Sequence, residues 1–184
     1  MAAHPADIVT FWREAGAKRW FEKSPAFDDA IRLKFEATHH AAARGAYDAW
    51  IATPDGALAL LVLLDQFPRN LYRDSAHAFA TDPLARNAAR QAMELGHDKA
   101  FEPALRQFFY LPFTHSEDIA DQDLCVSLNE AMGRETGDPD AAKWAIIHRD
   151  IIARFGRFPH RNRALGRVTT PEEQAFLDEG GFAG

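Results

Sequence analysis

The 184-residue chain has one cysteine, Cys125, so it can close no internal disulfide and build no thiolate zinc site, which suits a reducing compartment. It has no long apolar run: the longest, residues 57–64, falls well short of the roughly 18 residues a membrane helix needs. Residues 1–7 show no basic stretch followed by an apolar one, so nothing points to export. These absences set the expectation of a cytoplasmic protein with no membrane partner. Sustained apolar/polar alternation is missing, as is the Val-Ile-Thr richness of a sheet, so no strand is required. The chain also lacks Gly-x-Gly-x-x-Gly, Gly-x-x-x-x-Gly-Lys and Gly-x-Ser-x-Gly, the phosphate loops and the nucleophile elbow. No cofactor is called for. His115 and Asp118 have a spacing that can share a cation, but no second ligand pair stands at diagnostic spacing, so no metal is expected.

What is present begins with ring-bearing side chains. Hydrophobic residues make up 47% of the chain, with fourteen Phe and four Trp, which excludes disorder and predicts a packed interior. The length suits one domain, residues 1–184. Residues 149–167 hold Arg149, Arg154, Arg157, Arg161, Arg163 and Arg167 against Asp150 alone; that stretch is +5, so with a whole-chain charge of −6 the remainder is −11. Clustered guanidinium groups beside rings can hold phosphate or carboxylate. The acidic remainder, the want of lysine in the stretch and the lack of any standard module disfavour nucleic acid.

Prolines divide the chain. Ser24-Pro25, Thr53-Pro54, Asp82-Pro83, Glu102-Pro103, Asp138-Pro139 and Thr170-Pro171 read as helix starts, most with a capping side chain before a proline that has no amide to lose. Thr170 with Glu173, and Thr114 with Glu117, have capping-box spacing. Gly45, Gly96, Gly133 and Gly156 fall where helical patterns fade. Helices are predicted near 5–15, 25–43, 54–66, 83–95, 103–110, 115–132, 139–155 and 171–178, with short pieces at 17–23 and 46–52. The segment 54–66 is apolar all round from Leu58 to Leu64 and is the expected buried central helix. An all-α, antiparallel helical array follows.

Three further prolines sit in knots of aromatic and polar residues: Phe67-Pro68-Arg69-Asn70, Leu111-Pro112-Phe113-Thr114-His115-Ser116-Glu117-Asp118, and Phe158-Pro159-His160-Arg161-Asn162. Each is predicted to stop a helix. Asp65, near the C-terminal end of its helix, needs a cation, with Arg69 or an arginine of 157–163 the candidates. A helix from His115 places His115, Asp118 and Gln122 on one stripe. His115 is the candidate acid/base group, with Asp118 or Glu117 orienting it. His148, at helical spacing from Trp144, Ile151 and Phe155 on an apolar face, reads as a core histidine bonded to a neighbour. His160 lies in a loop where it can reach a ligand. His4, His39, His40, His77 and His97 read as surface residues.

Leu63-Leu64-Asp65-Gln66-Phe67-Pro68-Arg69-Asn70, His115-Ser116-Glu117-Asp118 with Gln122, and Arg154-Phe155-Gly156-Arg157-Phe158-Pro159-His160-Arg161-Asn162 with Leu165-Gly166-Arg167 closely resemble the bacterial family catalogued as domain of unknown function 924. Trp20-Phe21 and Thr170-Pro171-Glu172-Glu173 fit it as well, and the resemblance runs from about Ile8 to Leu177. It implies an all-α fold similar to tetratricopeptide repeats and supplies no catalytic residues. The tail, Asp178 to Gly184, departs from the family's Pro-Gly and terminal Phe ending.

Two functions compete. In one, Arg69, Arg157 and Arg161 hold an anionic small molecule, Asp65, Asp118 and Gln122 orient the groups, Glu117 and His160 border them, Asn70 and Asn162 line the rim, and His115 does any acid/base chemistry. In the other, stacked helices offer a protein or peptide partner a concave face, and the knots only hold helix ends together.

Overall fold

The computed structural model describes residues 3–182, and every regular element among them is helical. The described residues fall into two compact units: one runs to Arg73 and resumes at His77–Pro112, the other holds Asp74–Ala76 and everything from Phe113 on.

In the first unit, α1 (Pro5–Phe21) starts on His4, whose Nδ1 accepts from the Ala6 amide, and it bends at Gly16, where φ is 72°. The bend joins the two segments predicted at 5–15 and 17–23. α2 (Pro25–Ala43) is capped by Ser24, and α3 (Pro54–Leu61) by Thr53. Both starts follow the proline reading, and α2 keeps its predicted bounds. Residues 57–64 are buried on all sides, as an all-apolar helix requires. Trp12, fully buried, is ringed by Trp20, Phe27, Phe67 and Phe108, with ring centroids 5.4–6.1 Å away.

Pro68 does not stop the helix. Val62–Gln66 forms a π turn in which the Phe67 amide donates to Val62 O, and α4 (Phe67–Leu71) carries on with Pro68 inside it. A proline cannot donate to the carbonyls behind it, and a π turn spreads that deficit over the turn. Side chains answer it. His39 Nδ1 donates to Leu63 O at 2.9 Å and Thr81 Oγ1 donates to Leu64 O at 2.5 Å. His39 is therefore buried rather than a surface residue, and burial, the largest influence, lowers its pKa and keeps it neutral.

α5 (Asp82–Glu94) and α6 (Pro103–Thr114) follow, and α6 also keeps its proline, Pro112, inside. In the second unit, α7 (Ile119–Thr136) packs on α8 (Lys143–Phe155), and α9 (Pro171–Asp178) begins on Thr170 with a full capping box. α7 starts four residues later than the stripe reading supposed, because Asp118 rather than Thr114 caps it, through the Ala120 amide. It also ends at Gly137 instead of Gly133, and Pro139 starts no helix. Of the three prolines expected to stop a helix, only Pro159 lies outside an α-helix: α8 closes at Gly156 and a 3-10 turn holds Pro159–Arg161. The second unit's core gathers Ile151, Ile152 and Phe158, with Ile147, Phe155, Phe176 and Phe182 packed on it. Trp144, expected on that apolar face, is 63% exposed. Among the described residues no helix is long and apolar enough to cross a membrane.

Candidate functional site

The first knot lies in the first unit and is a closed polar network. Arg69 grips the Asp82 carboxylate with both Nη atoms, at 2.9 and 3.0 Å, stands 3.2 Å from Asp65 Oδ1, and donates to Asp65 O. Gln66 Nε2 donates to Asp65 Oδ2 at 2.6 Å. Burial alone would lower the Arg69 pKa, but the two carboxylates outweigh it and raise it, so the cation is held firmly. Asp65 thus has the expected cationic partner, though its burial in a continuing helix, not a place at a helix end, is what demands one. Asn70 Nδ2 donates to Asp28 Oδ1, and Arg73 grips the same carboxylate through Nε to Oδ2 at 2.6 Å and Nη2 to Oδ1 at 3.0 Å. The unit also carries a groove of about 440 Å³ lined in part by Ala42, Ile51, Leu60, Leu64, Leu84 and Gln91.

The third knot and the polar part of the second lie in the second unit. There the chain between α6 and α7 is folded around Gln122, whose Nε2 reaches Phe113 O, Thr114 O and Ser116 O at 3.3, 2.7 and 2.6 Å. A glutamine side chain supplies donors that the last turn of α6 cannot find within itself. Ser116 Oγ donates to Asp121 Oδ2. Glu117, instead of closing a capping box, accepts from the Phe158 amide and, at 2.7 and 2.9 Å, from both Nη atoms of Arg167. Burial would push its carboxyl up, but the bonds from Arg167 and Phe158 and the charges of Arg167 and Arg161 prevail and lower it. Arg157 is spent in the same manner on Glu173, at 2.6 and 2.9 Å, and that contact above all brings the Glu173 carboxyl down to about 2. Asn162 Nδ2 also donates to Glu173, at 3.1 Å.

What is left of the knot differs in kind. Arg161, 6% exposed, donates from Nη1 to His115 O at 2.9 Å and lies over the Phe158 ring at 4.4 Å. Around it stand three histidines in electrostatic reach of one another, His115, His148 and His160. His148 is a core histidine as expected, its Nδ1 donating to Trp144 O at 2.7 Å. Burial first, and the neighbouring Arg161 and His115 after it, bring His148 down to about 4. Burial and then the Arg161 charge bring His160 to about 3, against a weaker pull from Glu117. Both rings are neutral at neutral pH. Among the buried polar atoms here that lack a hydrogen-bond partner are His160 Nδ1, Asn162 Oδ1, Gln122 Oε1 and Arg167 Nε. The Phe182 ring covers the pair of imidazoles, 4.5 Å from His148 and 5.3 Å from His160.

The structure thus gathers His115, Glu117, His160 and Arg161 in the second unit, with Gln122 bracing the His115 turn and Asn162 following Arg161. Asp118, exposed, caps α7. Arg167, Glu173 and Phe182 were not singled out as site residues by the sequence reading. Glu173 stood in it only as a capping residue, and nothing in the spacing of Arg167 or Phe182 says whom they meet across the fold. Among the described residues no group of three or more His, Cys, Asp or Glu side chains is placed to hold a metal ion.

A solved structure of a protein of unknown function from Agrobacterium tumefaciens is similar to this chain, with 51% identity over 96% of this chain and 97% of that one and a TM-score of 0.90. None of the curated proteins matches. The model of a family described as bacterial protein of unknown function (DUF924) matches residues 8–181, and the chain belongs to that family.

Proposed function

We propose that the second unit binds a small anionic molecule at Arg161 and His160, with His148 and His115 beside them. The observation that carries this is His160: a half-buried imidazole whose Nδ1 is buried and unpartnered, next in sequence to a buried guanidinium whose charge helps keep it deprotonated. Leaving a polar group buried without a partner costs about 1–3 kcal/mol. A carboxylate or phosphate offers the acceptor that a protonated Nδ1 lacks, and it favours the imidazolium next to a guanidinium that otherwise opposes it. Binding then takes up a proton, and affinity rises as pH falls below neutrality. His115, whose carbonyl Arg161 holds, is the candidate acid/base group for any reaction of the bound molecule.

Isothermal titration with inorganic phosphate and with citrate at pH 6 and pH 8 tests the proposal. The expected result is tighter binding at pH 6, a heat that depends on the ionisation enthalpy of the buffer, and loss of binding in Arg161→Met. Absence of heat for both anions at both pH values, or binding that Arg161→Met leaves unchanged, rejects it.

A further inference from the structure

The chain enters its last described residues through Gly180 and Gly181. Gly180 has φ of 82°, and Gly181 donates from its amide to Phe176 O at 2.9 Å. A Cβ on Gly181 would lie 2.5 Å from that same carbonyl oxygen and 2.5 Å from the Phe176 ring, so this path of the chain admits only glycine. The path has one evident result. It lays the Phe182 ring edge-on against His148, at 62°, and against His160, at 78°.

As core packing this is poorly matched. Phe182 is only half-buried, and it covers an imidazole whose Nδ1 has no partner, a want that a phenyl ring cannot meet. Behind the two imidazoles lies the fully buried Phe158 ring, 5.7 Å from His148 and 5.5 Å from His160, with the Arg161 guanidinium over it. A ring-sized place, walled by two imidazoles that in turn meet the Phe158 ring under the Arg161 guanidinium, is therefore filled by a side chain of the chain itself. It is held there by a two-glycine connection.

We infer that the anion taken by this site carries a flat apolar ring, as an aryl phosphate or an aromatic carboxylate does, and that Phe182 stands in the place of that ring and is displaced by it. This rests on the anion site proposed above and gives it a ligand class. The anionic group faces Arg161 and His160, and the ring takes over the edge-to-face contacts that Phe182 makes, a geometry that aromatic pairs favour. The apparent affinity is then reduced by the fraction of molecules in which Phe182 is in place.

The test compares phenyl phosphate with inorganic phosphate on the full chain, in the wild type, Phe182→Ala, Gly181→Ala and Arg161→Met. Expected are binding of phenyl phosphate at least about tenfold tighter than inorganic phosphate, a difference of about 1.4 kcal/mol, and a further gain for the ringed probe alone in Phe182→Ala and in Gly181→Ala. A readout without any probe accompanies it: the NMR titration of His160, whose charged neighbours are Arg161, His148, His115 and Glu117, all unchanged by the two tail variants. With Phe182 gone, His160 loses part of its burial and titrates closer to its ordinary range. Equal affinity for the two probes, both abolished by Arg161→Met, leaves the anion site standing and overturns this inference. So does a Phe182→Ala protein that binds phenyl phosphate more weakly than the wild type. If neither probe binds any variant, the anion site fails and the ring class with it.

Discussion

Phe67-Pro68-Arg69-Asn70 and Phe158-Pro159-His160-Arg161-Asn162 read almost alike, yet the two units use them differently. In the first unit the helix runs through the proline, Arg69 is fixed between Asp65 and Asp82, and Asn70 meets Asp28. In the second the helix breaks before the proline, and His160 Nδ1 and Asn162 Oδ1 stay buried without partners. A motif whose polar groups are all matched internally serves the fold. One whose groups are kept from water and left unmatched is, under the function proposed above, waiting for a ligand, since selection retains such a cost mainly where function needs it.

The sharpest way to break the comparison is to remove each arginine. Arg69→Met strands two buried carboxylates and is expected to lower stability by about 3–5 kcal/mol in urea unfolding at constant slope. Arg161→Met removes the bond to His115 O and the stack on Phe158 but strands no carboxylate as Arg69→Met does, and is expected to cost less, about 1.5–3 kcal/mol, the scale of a hydrogen bond from a charged group. Equal losses would erase the distinction. Next in size is Thr81→Val, which leaves the buried Leu64 carbonyl unpaired at the π turn and is expected to cost about 1–3 kcal/mol.

A smaller effect appears against pH. The Glu173 carboxyl is lowered from its ordinary 4.5 to about 2 in the folded protein, so its stabilising contribution is complete above the ordinary value and drains away as pH falls from about 4.5 through 2. Glu173→Gln is expected to flatten the stability curve in that window and nowhere else. His148, lowered from 6.5 to about 4, also binds fewer protons folded than unfolded, so stability falls as pH drops from 6.5 through 4. His148→Phe is expected to make that slope shallower, while the lowered His160 and His39 keep part of it, as read from urea midpoints at pH 7, 5.5 and 4.5.

Much of the helical framework is legible in the chain because its signals are local. Ser24, Thr53 and Thr170 cap the helices that their following prolines announce, and all three side chains accept the amide expected of them. Pro68 misleads because its compensation is remote: His39 and Thr81 stand 24 and 17 residues from the carbonyls they serve. His115 and Asp118 mislead for a nearer reason, since Asp118 is the better N-cap and puts both outside α7. For the candidate site, residue types and the Asp65–Arg69 pairing were readable. The division of arginines between satisfied pairs and the histidine cluster was not, because Glu117 meets Arg167 across 50 residues of chain.

Urea unfolding of His160→Leu tests the central claim most directly. If the His160 imidazole is held against stability, replacing it by an apolar side chain removes an unmatched polar atom, and the midpoint stays level or rises. A loss of about 2 kcal/mol or more, the penalty for breaking a satisfied buried network, would show that this motif serves the fold as its counterpart does.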